Sequence, residues 1–149
     1  SRQPWQRMGG KGTFIHLHGM EGKTGLYVIE IPPGEALEPE RHFYEELIFI
    51  LQGKGSTAVW WDGEQPQHFE WERGSVFSPP LNTWHRLYNG TNEPALYLAL
   101  TNAPLMMDVL DNVDFMFGCD YRFTNRYDGR DGYFNVGQRE KGGGAGKEE

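Results

Sequence analysis

The chain carries a single cysteine, Cys119, so no disulfide can close within it. A lone thiol suits a reducing compartment, and a cytoplasmic protein is the expectation. Positive charge is scarce too: 14 Lys and Arg stand against 21 Asp and Glu, a net charge of −7. A nucleic-acid partner calls for a basic face, and this balance argues against one. No apolar run is long enough to span a bilayer, and no charged start leading into an apolar stretch marks a signal peptide, so no membrane role is expected. Glycine and aromatic residues are what the chain has in quantity: 20 Gly, with Phe, Trp and Tyr making up 14 % of residues. At 149 residues with moderate charge, this composition predicts one folded domain with a real core.

The apolar residues fall in short runs. Phe14–Leu17, Leu26–Ile31, Leu47–Leu51, Ser56–Trp61, His68–Trp71, Ser75–Phe77, Trp84–Tyr88 and Leu96–Leu100 are rich in β-branched, aromatic or aliphatic side chains. Pro32-Pro33-Gly34, Gln52-Gly53-Lys54-Gly55, Asp62-Gly63, Arg73-Gly74, Pro79-Pro80 and Asn89-Gly90 punctuate them. Regularly spaced short strands with turn signals predict an all-β sandwich or barrel. One helix is predicted, Ala103–Asn112, with Pro104 in its first turn. Residues 1–135 read as one domain, and the glycine-rich stretch 136–149 as a flexible tail or linker.

Two segments carry chemistry. The first reads Gly34-(x5)-Glu40-x-His42-(x3)-Glu46-(x6)-Gly53, the second Gly74-(x5)-Pro80-x-Asn82-(x2)-His85-(x3)-Asn89. Imidazole and carboxylate together form a ligand set for Mn, Fe, Ni, Zn or Cu. The two segments resemble the paired signature motifs of the cupin superfamily, G-(x5)-H-x-H-(x3,4)-E-(x6)-G and G-(x5)-P-x-G-(x2)-H-(x3)-N. Eight of the ten motif positions match. Glu40 stands where the family has its first His, and Asn82 where it has a Gly; Asn enters left-handed backbone more readily than most residues. The resemblance implies a cupin-type antiparallel barrel (a jelly roll) and a divalent metal ion, Fe or Mn favoured, held by His42, Glu46, His85 and Glu40. Residues 9–134 also look like the amino-terminal half of two-domain bicupin dioxygenase-like proteins, which implies a homodimer or a second barrel as partner.

Strand alternation puts Glu40 and His42 on one side of an extended segment, and Glu46, Ile48 and Ile50 on one face of the next strand. Thr83, His85 and Leu87 share a face of a later one. Two readings of Glu40 stand open: a carboxylate replacing the first His, or a solvated loop residue beside Arg41. Glu45 is expected to face solvent. His16 and His18 are read as barrel-edge or interface histidines, His68 as exposed, Arg86 as turned away from the ligands and Asn89 as a turn residue. The aromatic stretch from Phe115 to Phe134 reads as an arm wrapping the barrel or a partner. Leu47–Leu51 and Ala95–Leu100 are apolar on both faces, so both faces are expected to be covered.

The substrate pocket is assigned to Ile48, Ile50, Leu87, Trp60 and Tyr97, with a small organic molecule as substrate. Dioxygenase chemistry at an Fe or Mn site is the first expectation, since His and carboxylate ligands with open positions suit ferrous oxygen chemistry. A non-catalytic ligand-binding or regulatory barrel is the alternative from another class. Metal-assisted isomerase, hydrolase or decarboxylase chemistry is the third.

Overall fold

The turn signals in the sequence divide the chain into nine strands and two short helices among the described residues of the computed structural model, which are 3–5, 8–20 and 22–134. The strands are β1 (Gln3–Trp5), β2 (Gly10–Phe14), β3 (Gly25–Ile31), β4 (Glu46–Gln52), β5 (Lys54–Trp60), β6 (Gln67–Glu72), β7 (Val76–Phe77), β8 (Trp84–Asn89) and β9 (Ala95–Thr101). The helices are α1 (Ala103–Leu110) and α2 (Val113–Gly118). The stretch 136–149, expected as a tail, lies outside the described residues.

One sheet has the order β1-β2-β3-β9-β4-β7 and a second the order β6-β5-β8, and every pairing is antiparallel. Their inner faces meet in a single apolar cluster: Ile29, Ile48, Ile50 and Tyr97 from the large sheet, Trp71 and Leu87 from the small one. Burying one Ile or Leu side chain contributes about 2 kcal/mol, so this shared layer is the main force joining the sheets. The loop before β4 runs along β8 through bridges Ala36↔Tyr88 and Glu40↔His85. Those bridges set the first motif directly beside the second.

A register shift between Ile50 and Gln52 bulges β4, and the following Gly53 turns the chain at φ 96°. A Cβ there would lie 2.8 Å from the Cβ of Ala95, so glycine is required on two counts. Asn82 adopts φ 58°, the left-handed conformation that the Asn-for-Gly replacement anticipates.

Three elements differ from the sequence expectation. The second strand lies at Gly10–Phe14 rather than Phe14–Leu17, because backbone pairing with β3 tolerates its two glycines, while Ile15 and Leu17 stay exposed. The extended pairing of β1 with β2 carries no apolar alternation to announce it. The helix expected over Ala103–Asn112 is α1, and a second, unanticipated helix follows it in the aromatic stretch: Asp111 takes a left-handed φ of 46° and ends α1, and the Asn112 side chain caps α2 by accepting from the Phe115 amide.

Candidate metal centre

The bridge between Glu40 and His85 is a reciprocal pair of hydrogen bonds, Glu40 N–H to His85 O at 2.9 Å and His85 N–H to Glu40 O at 2.8 Å. Backbone pairing therefore brings the two motifs together before any side chain is considered. Alternation does the rest. On β8, His85, Leu87 and Asn89 are buried while Trp84, Arg86 and Tyr88 are half-buried on the other face. On β4, Glu46, Ile48 and Ile50 point inward.

All four candidate ligands are buried, with Glu40 the most accessible at 7 %. Glu40, His42 and His85 offer ligand atoms that all lie within 4.8 Å of one another. Glu46 Oε2 is 3.4 Å from His42 Nε2 and 3.6 Å from His85 Nε2. Glu40 is thus no solvated loop residue. Glu45 does face outward, where it pairs with Arg126 at 3.0 Å.

The histidines are oriented as metal ligands are. His42 Nδ1 lies 3.0 Å from the Tyr44 carbonyl and His85 Nδ1 3.3 Å from the Thr83 carbonyl. A carbonyl only accepts, so each Nδ1 carries a proton and each Nε2 is the ring atom that faces the centre. Buried His42 Nε2 makes no hydrogen bond, although Glu46 is near. An ion bound at about 2.1 Å holds neighbouring ligand atoms about 3.0–3.4 Å apart, so a divalent first-row metal fits these spacings with small movements. The Tyr44 ring stacks on His42 at 3.7 Å between centroids and 4° between planes, fixing the imidazole plane.

The electrostatics agree. Burial works against the Glu46 charge, but the two imidazoles beside it prevail and hold its carboxyl well below the usual carboxylate range. Burial likewise pulls His85 down, and the Glu46 carboxylate reverses this to leave His85 above its ordinary value. The Tyr27 hydroxyl donates to Glu46 Oε1. Burial first, then the Glu46 charge, pushes this phenol well above its usual range, so it stays a donor.

Of the residues assigned to a pocket, Ile48, Ile50, Leu87 and Tyr97 are buried in the common core beside the ligands. Trp60 is not with them. It pairs with Trp84 in the β5–β8 register, one residue from the Val59–His85 pair, and stacks on the Trp84 ring on the opposite face. A strand's period of two makes the reason simple: Val59, not Trp60, shares the His85 side. Tyr27 escaped the sequence reading. Its signal was there, a phenol in step with Ile29 and Ile31 on an inward face.

The outer side of the site is clasped. Asp62 accepts from Arg41, which lies between two ligands, at 2.9 Å and from Trp84, which precedes the third, at 2.6 Å. The aromatic arm packs beside the ligands. Phe115 and Phe123 flank Phe43, Phe117 meets the edge of Tyr44, and Asn82 donates to the Cys119 and Tyr121 carbonyls at 2.9 Å each. Arg86 turns away to the Leu37 carbonyl, His16, His18 and His68 are exposed, and Asn89 organises a turn through bonds to the carbonyls of Ile31, Pro32 and Glu93.

A two-sheet barrel with a buried His and carboxylate cluster defines a class, and comparison with known proteins agrees. The model of the cupin domain matches residues 27–101, half of the chain. This chain belongs to the cupin family. It is 26 % identical over 121 residues to auxin-binding protein 4 of Zea mays, an alignment covering 72 % of this chain and 58 % of that protein. The chain thus spans little more than half the length of that relative. A Lactobacillus farciminis oxalate decarboxylase in a formate complex superposes with a TM-score of 0.59 at 22 % identity, over 70 % of this chain and 31 % of the other. A Cupin 2 conserved barrel domain protein of Salinispora arenicola does so with a TM-score of 0.59 at 15 % identity, over 74 % and 88 %. These structural likenesses are likenesses of fold.

Proposed function

We propose that the protein is a metal-dependent cupin enzyme acting on a small organic molecule, with dioxygenase-type oxidation as its chemistry. The observation that carries the reading is the paired histidine arrangement. Both Nδ1 atoms face backbone carbonyls, and both Nε2 atoms face one Glu46 oxygen in a buried site. His42, His85, Glu46 and Glu40 are the residues to hold the ion. Two carboxylates lower the charge of the site and favour Fe or Mn over softer metals. When bound, the ion supplies a Lewis acid for substrate oxygens and, as ferrous iron, activation of O2. The chain's own part is to keep Glu46 ionised, hold it through Tyr27, aim both Nε2 atoms at the centre and exclude water by burial. Ile48, Ile50, Leu87 and Tyr97 give the centre an apolar flank suited to a small apolar substrate.

The test is elemental analysis of protein purified without chelator, with His85→Ala as control, followed by oxygen consumption with aromatic and diketone substrates. Near-stoichiometric Fe or Mn, lost in the control, with oxygen uptake is the expected result. Metal with no oxygen uptake would redirect the reading to metal-assisted isomerase, hydrolase or decarboxylase chemistry. A second reading, a ligand-binding barrel without chemistry, is favoured by the auxin-binding relative. Absence of metal from the wild type, even after reconstitution, would select it.

A further inference from the structure

The bridge between Glu40 and His85 is the last one between the ligand loop and β8 among the described residues. His42 lies two residues past it, beyond the reach of that backbone pairing. Something other than the ladder must set where His42 sits relative to His85. Antiparallel order makes Arg41 and Trp84 the next pair after the bridge. Alternation turns both away from the ligands, and on that outer side the Arg41 guanidinium lies 4.9 Å from the Trp84 ring centre. Asp62 spans this pair. Its Oδ2 accepts from Arg41 at 2.9 Å and its Oδ1 from Trp84 Nε1 at 2.6 Å.

Asp62 is itself a fixed point. It stands in the turn between β5 and β6, which the Glu64 amide closes by donating to the Trp61 carbonyl at 3.0 Å. Trp61, on its amino side, is buried, and its Nε1 donates to the Tyr127 carbonyl at 3.0 Å. Arg122 donates to the Asp62 carbonyl at 2.6 Å. An ion pair between two exposed side chains does little. Here the Arg41 side chain is only 11 % exposed, and the carboxylate has a directed bond on each oxygen. Such a group acts through geometry rather than through net attraction.

We infer that Asp62 is a positioning residue of the centre. One carboxylate ties the residue between Glu40 and His42 to the residue before His85. It thereby sets the two imidazoles in their edge-to-face arrangement, 5.1 Å between centroids. Ligands already in place lose less freedom when an ion arrives. The consequence for metal affinity rests on the metal reading proposed above; the positioning itself needs no ion.

The experiment compares the full-length wild type with Asp62→Ala and Glu64→Ala. The second variant breaks the 2.7 Å ion pair to Arg122 on the same turn and touches neither Arg41 nor Trp84. Heteronuclear NMR of the metal-free proteins reads the ring nitrogens of His42 and His85, and calorimetric titration reads Mn affinity. In Asp62→Ala both rings are expected to shift, and Mn affinity to fall about 10-fold, the usual effect of losing an outer partner. In Glu64→Ala neither is expected to change. Should Asp62→Ala fail to fold, Asp62→Asn keeps the size of the side chain but offers one acceptor oxygen instead of two, so it cannot hold both donors. Ring signals unchanged in the folded Asp62 variants overturn the inference. So do equal changes in Glu64→Ala, which would mean a general loosening of the turn, and shifted rings with an unchanged Mn affinity. Rings that shift as expected in a wild type that takes up no Mn would leave the positioning standing and remove the metal reading alone.

Discussion

The Tyr27 hydroxyl donates to Oε1 of Glu46, and this divides the carboxylate between two tasks. One oxygen is anchored to β3, and the other faces both histidines. A ligand so tied costs less to order when an ion arrives than one free to rotate.

Tyr27→Phe keeps the ring and removes only this donor. Metal affinity is expected to fall about 10-fold or more, the usual effect of losing an outer partner of a ligand. Competition with a chromophoric chelator measures it. An unchanged affinity would mean that the phenol merely satisfies a buried oxygen.

Glu40 tests whether the family's first His has been replaced by a working ligand. Glu40→Gln keeps the shape and removes the charge. We expect weaker metal binding with a melting temperature of the metal-free protein near that of the wild type. Glu40→His, which restores the usual family residue, is expected to bind metal but to shift preference toward nitrogen-favouring ions such as Ni or Zn. Calorimetric titration with Mn and Ni in parallel distinguishes the two.

Acidity acts on the centre through two groups of opposite sign. Glu46 sits below its ordinary value, so its contribution to metal-free stability is present above about pH 4.5 and is lost as pH falls through the lowered value. His85 sits above its ordinary 6.5, so its contribution is complete below 6.5 and is lost as pH rises through the raised value. The metal-free protein is therefore expected to be most stable between these limits and to weaken above neutrality. Metal binding needs neutral imidazole and strengthens as pH rises. Melting curves from pH 5 to 9, with and without Mn, should diverge as pH rises, since added metal stabilises most at the alkaline end. Parallel curves would contradict the assignment of His85 as a ligand.

Asn82 stands where the related motif has glycine, and its side chain ties down the arm. Asn82→Gly suits the left-handed backbone but gives up both bonds to the arm, at about 1 kcal/mol each. The arm is expected to become protease-sensitive while the barrel stays folded. Asn82→Ala adds backbone strain of about 1–2 kcal/mol and is expected to melt lowest of the three. Limited proteolysis and thermal melts check the order.

Much of this molecule was decided locally. The period of two in Glu46, Ile48 and Ile50 and in His85, Leu87 and Asn89 is a property of the strand itself, so which residues face inward follows from sequence alone. Turn residues with required backbone geometry, Gly53 and Asn82 among them, mark their own positions. Three further matters needed the tertiary structure, because each depends on contacts between residues distant in the chain. Register decides that Val59 rather than Trp60 lies beside His85. The pairing of Glu40 with His85 converts an ambiguous loop carboxylate into a buried neighbour of two imidazoles. Tyr27 reaches Glu46 only because β3 and β4 flank β9 in one sheet, a neighbourhood that no local pattern encodes.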